Sequence, residues 1–350
     1  MKITVETFTV RKKFALKISR GTTAQTTNVW LRLEQDNIAG WGEASPFSID
    51  RSKPKDTDKL LAEFKAIIPS LEQYHPLQRQ EIRAKLQRRN ITSAAQAAID
   101  MALYDWLGKK ANLPLWQIWG LNRDRIVPIS VTIGIGTPES AVKRLKDWQN
   151  TLDVRTIKLK LGSPEGIEAD KAMLSAIREV APETNLMVDA NGGWDFNDAV
   201  CMAEWLAKQG VEYIEQPLAV AEDSKLKALS QQSPLPIFVD ESCFNSADIP
   251  RLANSVAGVN LKIMKTGGLT EAMQAIHIAK ACNLKIMFGC YSDSSLANTA
   301  MAHLAPYADY LDLDSHLNLI DDPFTGATIK AGRLLPSNQP GLGVKHNARS

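Results

Sequence analysis

Short apolar segments that each end in one ionisable residue recur through the second half of the chain. The run from Thr156 to Leu161 alternates, with apolar side chains on one face and Lys158 and Lys160 on the other. Similar short segments follow it at regular intervals and end in Asp189, Glu215, Asp240 and Lys262. Successive strands that each finish in a charge are typical of the catalytic end of a parallel α/β barrel.

Strand-like and helix-like patterns alternate from residue 127 to about residue 314. The predicted strands are 128–133, 156–161, 185–189, 212–215, 237–240, 258–262, 285–289 and 310–314. Eight such strands with crossover helices favour a (β/α)8-type, modified TIM barrel over residues 123–318. A doubly wound open sheet is the alternative, but the chain lacks the Gly-rich phosphate-binding fingerprint of that fold.

The first part of the chain predicts a separate α+β capping domain, residues 1–122. Alternation at 2–10, 27–34 and 37–43 predicts an antiparallel meander, and the pattern turns helical from about residue 54. Residues 11–27 are expected to form a long basic loop, and long loops of this kind are usually functional or mobile. The turn-rich segment 319–350 is expected to return over the capping domain.

Composition narrows the class of protein. The 350 residues are 44% hydrophobic and 23% charged, with a net charge of +2, and their basic residues are scattered. This pattern gives no sign of nucleic-acid binding, and no apolar run is long enough to span a membrane. The four cysteines lack the spacing of a zinc site or a disulfide framework. We therefore predict a cytoplasmic protein that binds neither nucleic acid nor membrane.

Three carboxylates end three successive predicted strands: Asp189, Glu215 and Asp240. In one barrel mouth they would repel one another, so that at least one would take up a proton unless a cation lay between them. A set with carboxylate oxygens and no histidine or cysteine suits a hard divalent cation. We predict one Mg²⁺ ion held by these three acids, with Mn²⁺ as a possible substitute.

Lysines precede and follow these acids. Lys160 lies on the second predicted strand and Lys262 on the sixth, on opposite sides of an eight-stranded ring. Two amines that face a metal-bound substrate from opposite sides suit removal of a proton from a carbon and its return on the other face. We predict racemisation or epimerisation of a carbon acid through an enolate, with Lys265 outside the site.

The motifs taken together resemble the enolase superfamily, muconate-lactonizing subgroup. The motifs are K-x-K at 158–160, Asp189-Ala-Asn, Glu215-Gln-Pro, Asp240-Glu-Ser and the run Asn260 to Gly268. The resemblance covers essentially the whole chain. It implies a capping domain, a modified barrel, Mg²⁺ and removal of a proton next to a carboxylate, and pairing of a lysine base with Mg²⁺ is typical of this superfamily.

Within that family the chain is most similar to the dipeptide epimerases. The resemblance implies that Asp312 and Asp314 hold the α-ammonium group of a dipeptide, and that Lys158 neutralises its carboxylate. It also implies substrate contacts from Thr132, Cys290 and Ser292. The resemblance further implies that the segment 11–27 closes over the substrate. Arg20, in this segment, would then favour an acidic second residue, as in L-Ala-D/L-Glu.

Other functions stay open. Within the superfamily, o-succinylbenzoate synthase, muconate cycloisomerase and N-acyl amino acid racemase are the alternatives. A non-catalytic ligand-binding barrel would not need Lys158, Lys160 and Lys262 in its mouth. One departure from the subgroup is Asp293, at a position that is often Glu. We expect the protein to form a homo-oligomer and to bind a small molecule, a dipeptide, as its substrate.

Overall fold

The capping domain is built on a three-stranded antiparallel sheet, in a computed structural model that describes residues 1–47 and 56–347. Its strands are β1 (Lys2–Ile18), β2 (Gly21–Gln35) and β3 (Ile38–Ala44). The loop expected at 11–27 is wrong, because both strands continue to a tight turn at residues 19–20. The threonine-rich run that begins β2 favours strand conformation, and the prediction of a loop gave more weight to the basic residues than to these threonines. The result is a long hairpin, with one irregularity between Arg11 and Leu16.

The helices of this domain pack against the sheet. The longest of them lies so close to β3 that a Cβ at Gly42 would meet the Ala98 carbonyl oxygen at 1.8 Å. Glycine at this position and at Gly40 therefore permits the close approach of helix and strand. The helices are α1 (Thr57–Leu71), α2 (Arg79–Arg88), α3 (Ser93–Ala111) and α4 (Leu115–Ile118).

Eight parallel strands in the described part of the chain form the second domain and follow one another around the sheet in chain order. Most are buried along their length, as expected for parallel strands covered on both faces. The strands are β4 (Ser130–Ile133), β5 (Thr156–Lys160), β6 (Asn185–Asp189), β7 (Val211–Glu215), β8 (Ile237–Val239), β9 (Gly258–Leu261), β10 (Lys285–Gly289) and β11 (Tyr310–Asp312).

The ring closes between β4 and β11. Ile129 forms a parallel bridge with Leu311, and the Ser130 hydroxyl donates to the Leu311 carbonyl at 3.3 Å. The helices around the ring are α5 (Pro138–Gln149), α6 (Ile167–Val180), α7 (Phe196–Lys208), α8 (Leu226–Gln232), α9 (Ile249–Leu252), α10 (Ile263–Thr266), α11 (Leu269–Ala281) and α12 (Ser295–Ala302). This arrangement confirms the predicted barrel with an α+β cap.

The C-terminal segment contributes short strands. They are β12 (Phe324–Thr325), β13 (Thr328–Lys330), β14 (Arg333–Leu335) and β15 (Lys345–His346). Strand β12 pairs with β15, and the His346 ring lies 5.0 Å from the Trp41 ring of the capping sheet. None of the described helices has the length and apolar character needed to cross a membrane.

Candidate active site

The carboxyl ends of the central barrel strands bring the predicted lysines and acids together. Alternation along β5 turns Lys158 and Lys160 inward, whereas Asp189 and Glu215 are the last residues of β6 and β7. Asp240 and Lys262 directly follow β8 and β9. All six side chains are buried. Beneath them, two residues earlier on their strands, Met187, Tyr213 and Phe238 fill the barrel with apolar volume.

Each inward lysine lies against an acid. Lys160 Nζ is 2.6 Å from Asp189 Oδ2, and Lys262 Nζ is 2.6 Å from Asp240 Oδ2. Lys158 Nζ lies 2.6 Å from Glu215 Oε2 and 3.3 Å from Asp189 Oδ2. Strands β5 and β9 are four positions apart in the eight-stranded order, so Lys160 and Lys262 face the mouth from opposite sides.

The three acids fit a hard cation by their chemistry. In the described residues no three of the acids converge as metal ligands, because lysine amines lie between them. Burial, with the nearby charge of Asp189, raises the pKa of Glu215 to about 7. Such mutual repulsion between buried carboxylates is what a divalent cation relieves, and an oxygen-only donor set suits Mg²⁺. The fit rests on this donor set and its charge.

Lys265 has a supporting role, as expected from its position off the strand. Its amine donates to Asp240 Oδ1 at 2.6 Å and to the carbonyls of Cys243 and Asn260 at 2.8 and 2.9 Å. Fully enclosed by these acceptors, it holds the Asp240 carboxylate in place from behind. Asn260 does the same for Glu215, since its amide donates to Glu215 Oε1 at 2.7 Å.

The two acids of the eighth strand have different surroundings. Asp312 Oδ2 lies 2.7 Å from Lys158 Nζ, and its Oδ1 accepts hydrogen bonds from the hydroxyls of Ser130 and Thr132. Burial alone would lower the pKa of Lys158, but the charges of Asp312, Glu215 and Asp189 raise it well above its ordinary value. Lys158 is therefore a fixed cation that already compensates Asp312.

Asp314 has no cation within ion-pair distance among the described residues. Its Oδ2 accepts the Thr132 backbone N–H at 2.7 Å. Burial and the neighbouring charge of Asp312 raise the pKa of Asp314 to about 6. A ligand cation beside Asp314 would relieve both effects.

A cavity of about 450 Å³ opens between the hairpin and β4, with Asp314 in its wall. Thr132 and Cys290, which the resemblance implies contact substrate, line this cavity, and the Cys290 thiol donates to the Asp312 carbonyl at 3.1 Å. Ser292 is buried, does not line the cavity, and its carbonyl accepts a hydrogen bond from Asn28 of the capping sheet. Apolar side chains form much of the remaining wall: Phe14, Leu16, Ile133, Ile135 and Trp148.

Arg20, at the hairpin turn, contacts residues that follow β6 and β8 at the barrel mouth. Its Nη1 lies 2.5 Å from Glu241 Oε1 and donates to the Asn191 carbonyl at 3.0 Å. The charge of Glu241 therefore compensates the guanidinium. Glu241 was missed in the sequence because a strand end shows one inward acid, Asp240, and the next residue is expected to point away.

Two further cations line the cavity and were also missed. Lys12 is partly buried near Asp314 and Asp293, and burial lowers the pKa of Lys12 despite those charges. The Arg144 guanidinium stacks between the Phe14 and Trp148 rings, 3.7 and 4.1 Å from their centroids. Helix α5 places Arg144 there, and only the fold shows which face of that helix meets the hairpin.

Family comparisons agree with this architecture over nearly the whole chain. Residues 2–120 match the N-terminal domain of the mandelate racemase and muconate lactonizing enzyme family. Residues 140–350 match the enolase C-terminal domain-like family.

Individual relatives narrow the group. A hydrophobic dipeptide epimerase of Flavobacteria bacterium (strain MS024-2A) is 43% identical over 98% of both chains. An L-Ala-D/L-Glu epimerase of Bacteroides thetaiotaomicron is 31% identical over 98% of this chain and 88% of its own. The dipeptide epimerase of Enterococcus faecalis V583, solved with Mg and L-Leu-L-Tyr, superposes with a TM-score of 0.90 at 30% identity and covers 99% of both chains. The chain therefore belongs to the enolase superfamily and, within it, to the dipeptide epimerases, which are isomerases.

Proposed function

We propose that this chain epimerises a dipeptide at the α-carbon of its C-terminal residue, with Lys160 and Lys262 as the two bases. The observation that carries the proposal is the placement of these two amines on opposite sides of one mouth, each against a buried carboxylate. Lys160 Nζ takes the α-proton of one epimer, and Lys262 Nζ delivers a proton to the opposite face. In the reverse direction the two amines exchange roles.

Asp189, Glu215 and Asp240 are the residues that would hold Mg²⁺. When bound, the ion supplies positive charge that stabilises the negative charge developing on the substrate carboxylate. The chain's own contribution is to fix the three acids: Lys265 and Asn260 hold Asp240 and Glu215 from outside the mouth. Asn191 holds Asp189, since its backbone N–H donates to Asp189 Oδ1 at 2.8 Å.

The substrate ammonium group is assigned to Asp314 in preference to Asp312. Lys158 and two hydroxyls already satisfy Asp312, whereas Asp314 has hydrogen-bond donors but no ion-pair partner among the described residues. A free α-ammonium group supplies the cation that a buried carboxylate requires. N-acylated amino acids, succinylbenzoate precursors and muconate carry no ammonium, which argues against the other members of the superfamily.

The preferred dipeptide is apolar. The N-terminal side chain would enter the cavity beside Asp314, whose wall includes Phe14, Leu16 and Trp148. The guanidinium of Arg20 offers no uncompensated charge to an acidic second residue, because Glu241 pairs with it. Both observations agree with the name of the Flavobacteria relative, a hydrophobic dipeptide epimerase.

An L-Ala-D/L-Glu-like substrate is the second candidate. Arg20 lies at the mouth, as the sequence resemblance implied, and the Bacteroides relative is an L-Ala-D/L-Glu epimerase. For this candidate an acidic side chain would have to displace Glu241 from Arg20, which leaves a buried carboxylate without its partner.

A library of L,L-dipeptides in D₂O tests the function directly. Incubation with the Mg²⁺-loaded protein should exchange the hydrogen at the C-terminal α-carbon of apolar dipeptides for deuterium, which raises their mass by about one mass unit. N-acetylated versions of the same dipeptides should react poorly. Equal turnover of free and acetylated substrates would favour an N-acyl amino acid racemase, and strong selection for acidic second residues would favour the second candidate.

A further inference from the structure

One loop forms the wall of the mouth next to Lys262, and we call residues 290–294 the wall loop. It connects β10 to α12. Its Tyr291 ring lies 4.5 Å from Lys262 Nζ, and its Cys290 thiol donates to the Asp312 carbonyl. A small displacement of the wall loop would therefore move the Tyr291 ring relative to Lys262 Nζ.

The wall loop is held from the capping domain by a fully buried acid, Glu43 on β3. Glu43 Oε1 accepts the Ser294 backbone N–H at 3.0 Å, and Oε2 accepts the Ser294 hydroxyl at 2.5 Å. Two further donors complete the set: the Asn28 side-chain amide donates to Oε1 at 2.8 Å, and the Ala297 backbone N–H donates to Oε2 at 3.2 Å. Burial and the neighbouring charge of Asp293 raise the pKa of Glu43 to about 8. Loss of one of these hydrogen bonds would leave a buried polar group without a partner, which is costly.

Neighbouring capping residues reinforce the same contact. The Asn28 amide that donates to Glu43 also donates to the Ser292 carbonyl at 2.9 Å. Four residues after Glu43, the Phe47 ring stacks on the Tyr291 ring, with a centroid distance of 4.5 Å and an interplanar angle of 10°. One face of the strand and its extension thus contacts the wall loop at both ends.

Helix capping alone does not account for Glu43. Ser294 already caps α12, because its hydroxyl accepts the Leu296 N–H at 3.1 Å. A second acid, Asp322 of the C-terminal segment, accepts the Ser295 N–H at 2.7 Å at the same helix end. Glu43 differs from Asp322, since it comes from the capping domain and contacts Ser294 of the wall loop.

We propose that Glu43 is a positioning residue, which holds the wall loop so that Tyr291 stays over Lys262 during proton transfer on that face of the substrate. The proposal rests on the two-base reaction proposed above. It assigns to the capping domain a role in the chemistry of one base, in addition to lining the cavity through the hairpin. Replacement of Glu43 should therefore impair the two faces of the substrate unequally.

The test is α-deuterium exchange of each epimer of one good dipeptide by the Mg²⁺-loaded protein in D₂O. The epimer served by Lys262 is identified as the one whose exchange Lys262→Ala abolishes. In Glu43→Gln its exchange should fall by about 10- to 100-fold, the size expected for a misplaced catalytic group, while the other epimer stays within about twofold. Asp322→Asn is the matched control, and it should leave the ratio between the epimers unchanged.

Equal losses for both epimers in Glu43→Gln, or the same imbalance in Asp322→Asn, would show a structural cap only. If Glu43→Gln does not fold, Asn28→Ala removes the parallel contact and should give a smaller imbalance of the same sign; an equal loss there would overturn the proposal. If the natural protein exchanges neither epimer of any dipeptide, the proposed function fails. A crystal structure of Glu43→Gln then decides this proposal, supported by a displaced Tyr291 and overturned by an unmoved one.

Discussion

At the scale of single residues, the site is a network of ion pairs between lysine amines and carboxylates. The amines of Lys158, Lys160 and Lys262 each lie 2.6 Å from a carboxylate oxygen. The three amines differ in what else surrounds them, because Lys158 contacts three acids and Lys160 and Lys262 one each. Contact with three acids suits Lys158 to a permanent charge, and the charge of Asp240 also raises the pKa of Lys262 above its ordinary value despite burial.

Removal of divalent cations should abolish turnover. The reason is the donor set of Asp189, Glu215 and Asp240, whose repulsion a cation relieves. Activity should be lost after exhaustive chelation and return with Mg²⁺, and Glu215→Gln should lower the rate by orders of magnitude. Full activity of a metal-free preparation, verified by elemental analysis, would contradict the assignment.

Replacement of one base should stop epimerisation yet spare part of the exchange reaction. In Lys262→Ala, Lys160 can still remove and return the proton of one epimer, so that solvent deuterium enters without inversion. The measurement is exchange and inversion of each epimer, followed by NMR. Interconversion of both epimers by Lys262→Ala at the normal rate would rule out the two-base assignment.

Asp314→Asn should weaken the use of free dipeptides. A buried charge pair that loses one partner typically costs about 2–5 kcal/mol, which corresponds to a loss of roughly 30- to several thousand-fold in kcat/KM. N-acetylated dipeptides lack the ammonium and should be affected far less. The comparison of kcat/KM for the two substrate forms checks the assignment, and equal losses would contradict it.

At the scale of elements, the sequence predicted the barrel strands well because burial and strand alternation are local properties. It failed at residues 11–27, where basic composition indicated a loop and the chain forms a hairpin. The ion pair between Arg20 and Glu241 could not be predicted, since it depends on the length of that hairpin and on the turn at its end. The positions of Lys12 near Asp314 and of Arg144 between two rings escaped prediction for the same reason.

Replacement of the residue at the hairpin turn distinguishes the two candidate substrates. Arg20→Met leaves the Glu241 side chain, 3% exposed, without its cation. We expect kcat/KM to fall about tenfold or more for apolar and acidic dipeptides alike, because the loss lies in the protein and not in a substrate contact. Lys17→Met is the control from the same hairpin, with no ion pair among the described residues. A selective loss of acidic dipeptides would instead support direct recognition by Arg20.

At the scale of the whole molecule, one histidine joins the three parts of the chain. His303, just after α12, accepts the Trp116 N–H of the capping domain at Nδ1, at 3.2 Å. Its Nε2 lies 3.1 Å from the Leu342 carbonyl of the C-terminal segment. Burial lowers the pKa of His303 to about 4, so the folded protein favours the neutral form of this imidazole.

Acid should therefore destabilise the folded protein in a defined range. A lowered folded-state pKa gives full stability above the ordinary value of 6.5, and the stability is lost as the pH falls from there through about 4. The total effect of His303 is on the order of 3 kcal/mol. His303→Gln should reduce the pH dependence of urea unfolding between these limits, and the remainder should include His316, whose pKa burial also lowers to about 4. The exposed His277→Gln variant should leave it unchanged, and the same slope in both variants would contradict the assignment.

Closure of the barrel between β4 and β11 has a consequence for folding kinetics. The Ser130–Asp312 and Thr132–Asp314 hydrogen bonds each join residues 182 positions apart, and they cross this seam. Contacts of such long sequence separation form late, because the intervening chain must be ordered first. The subsite proposed for the substrate ammonium would thus be missing from an open, partly folded barrel. Dipeptide binding should reappear only with the slowest phase of refolding, after most helical structure has returned.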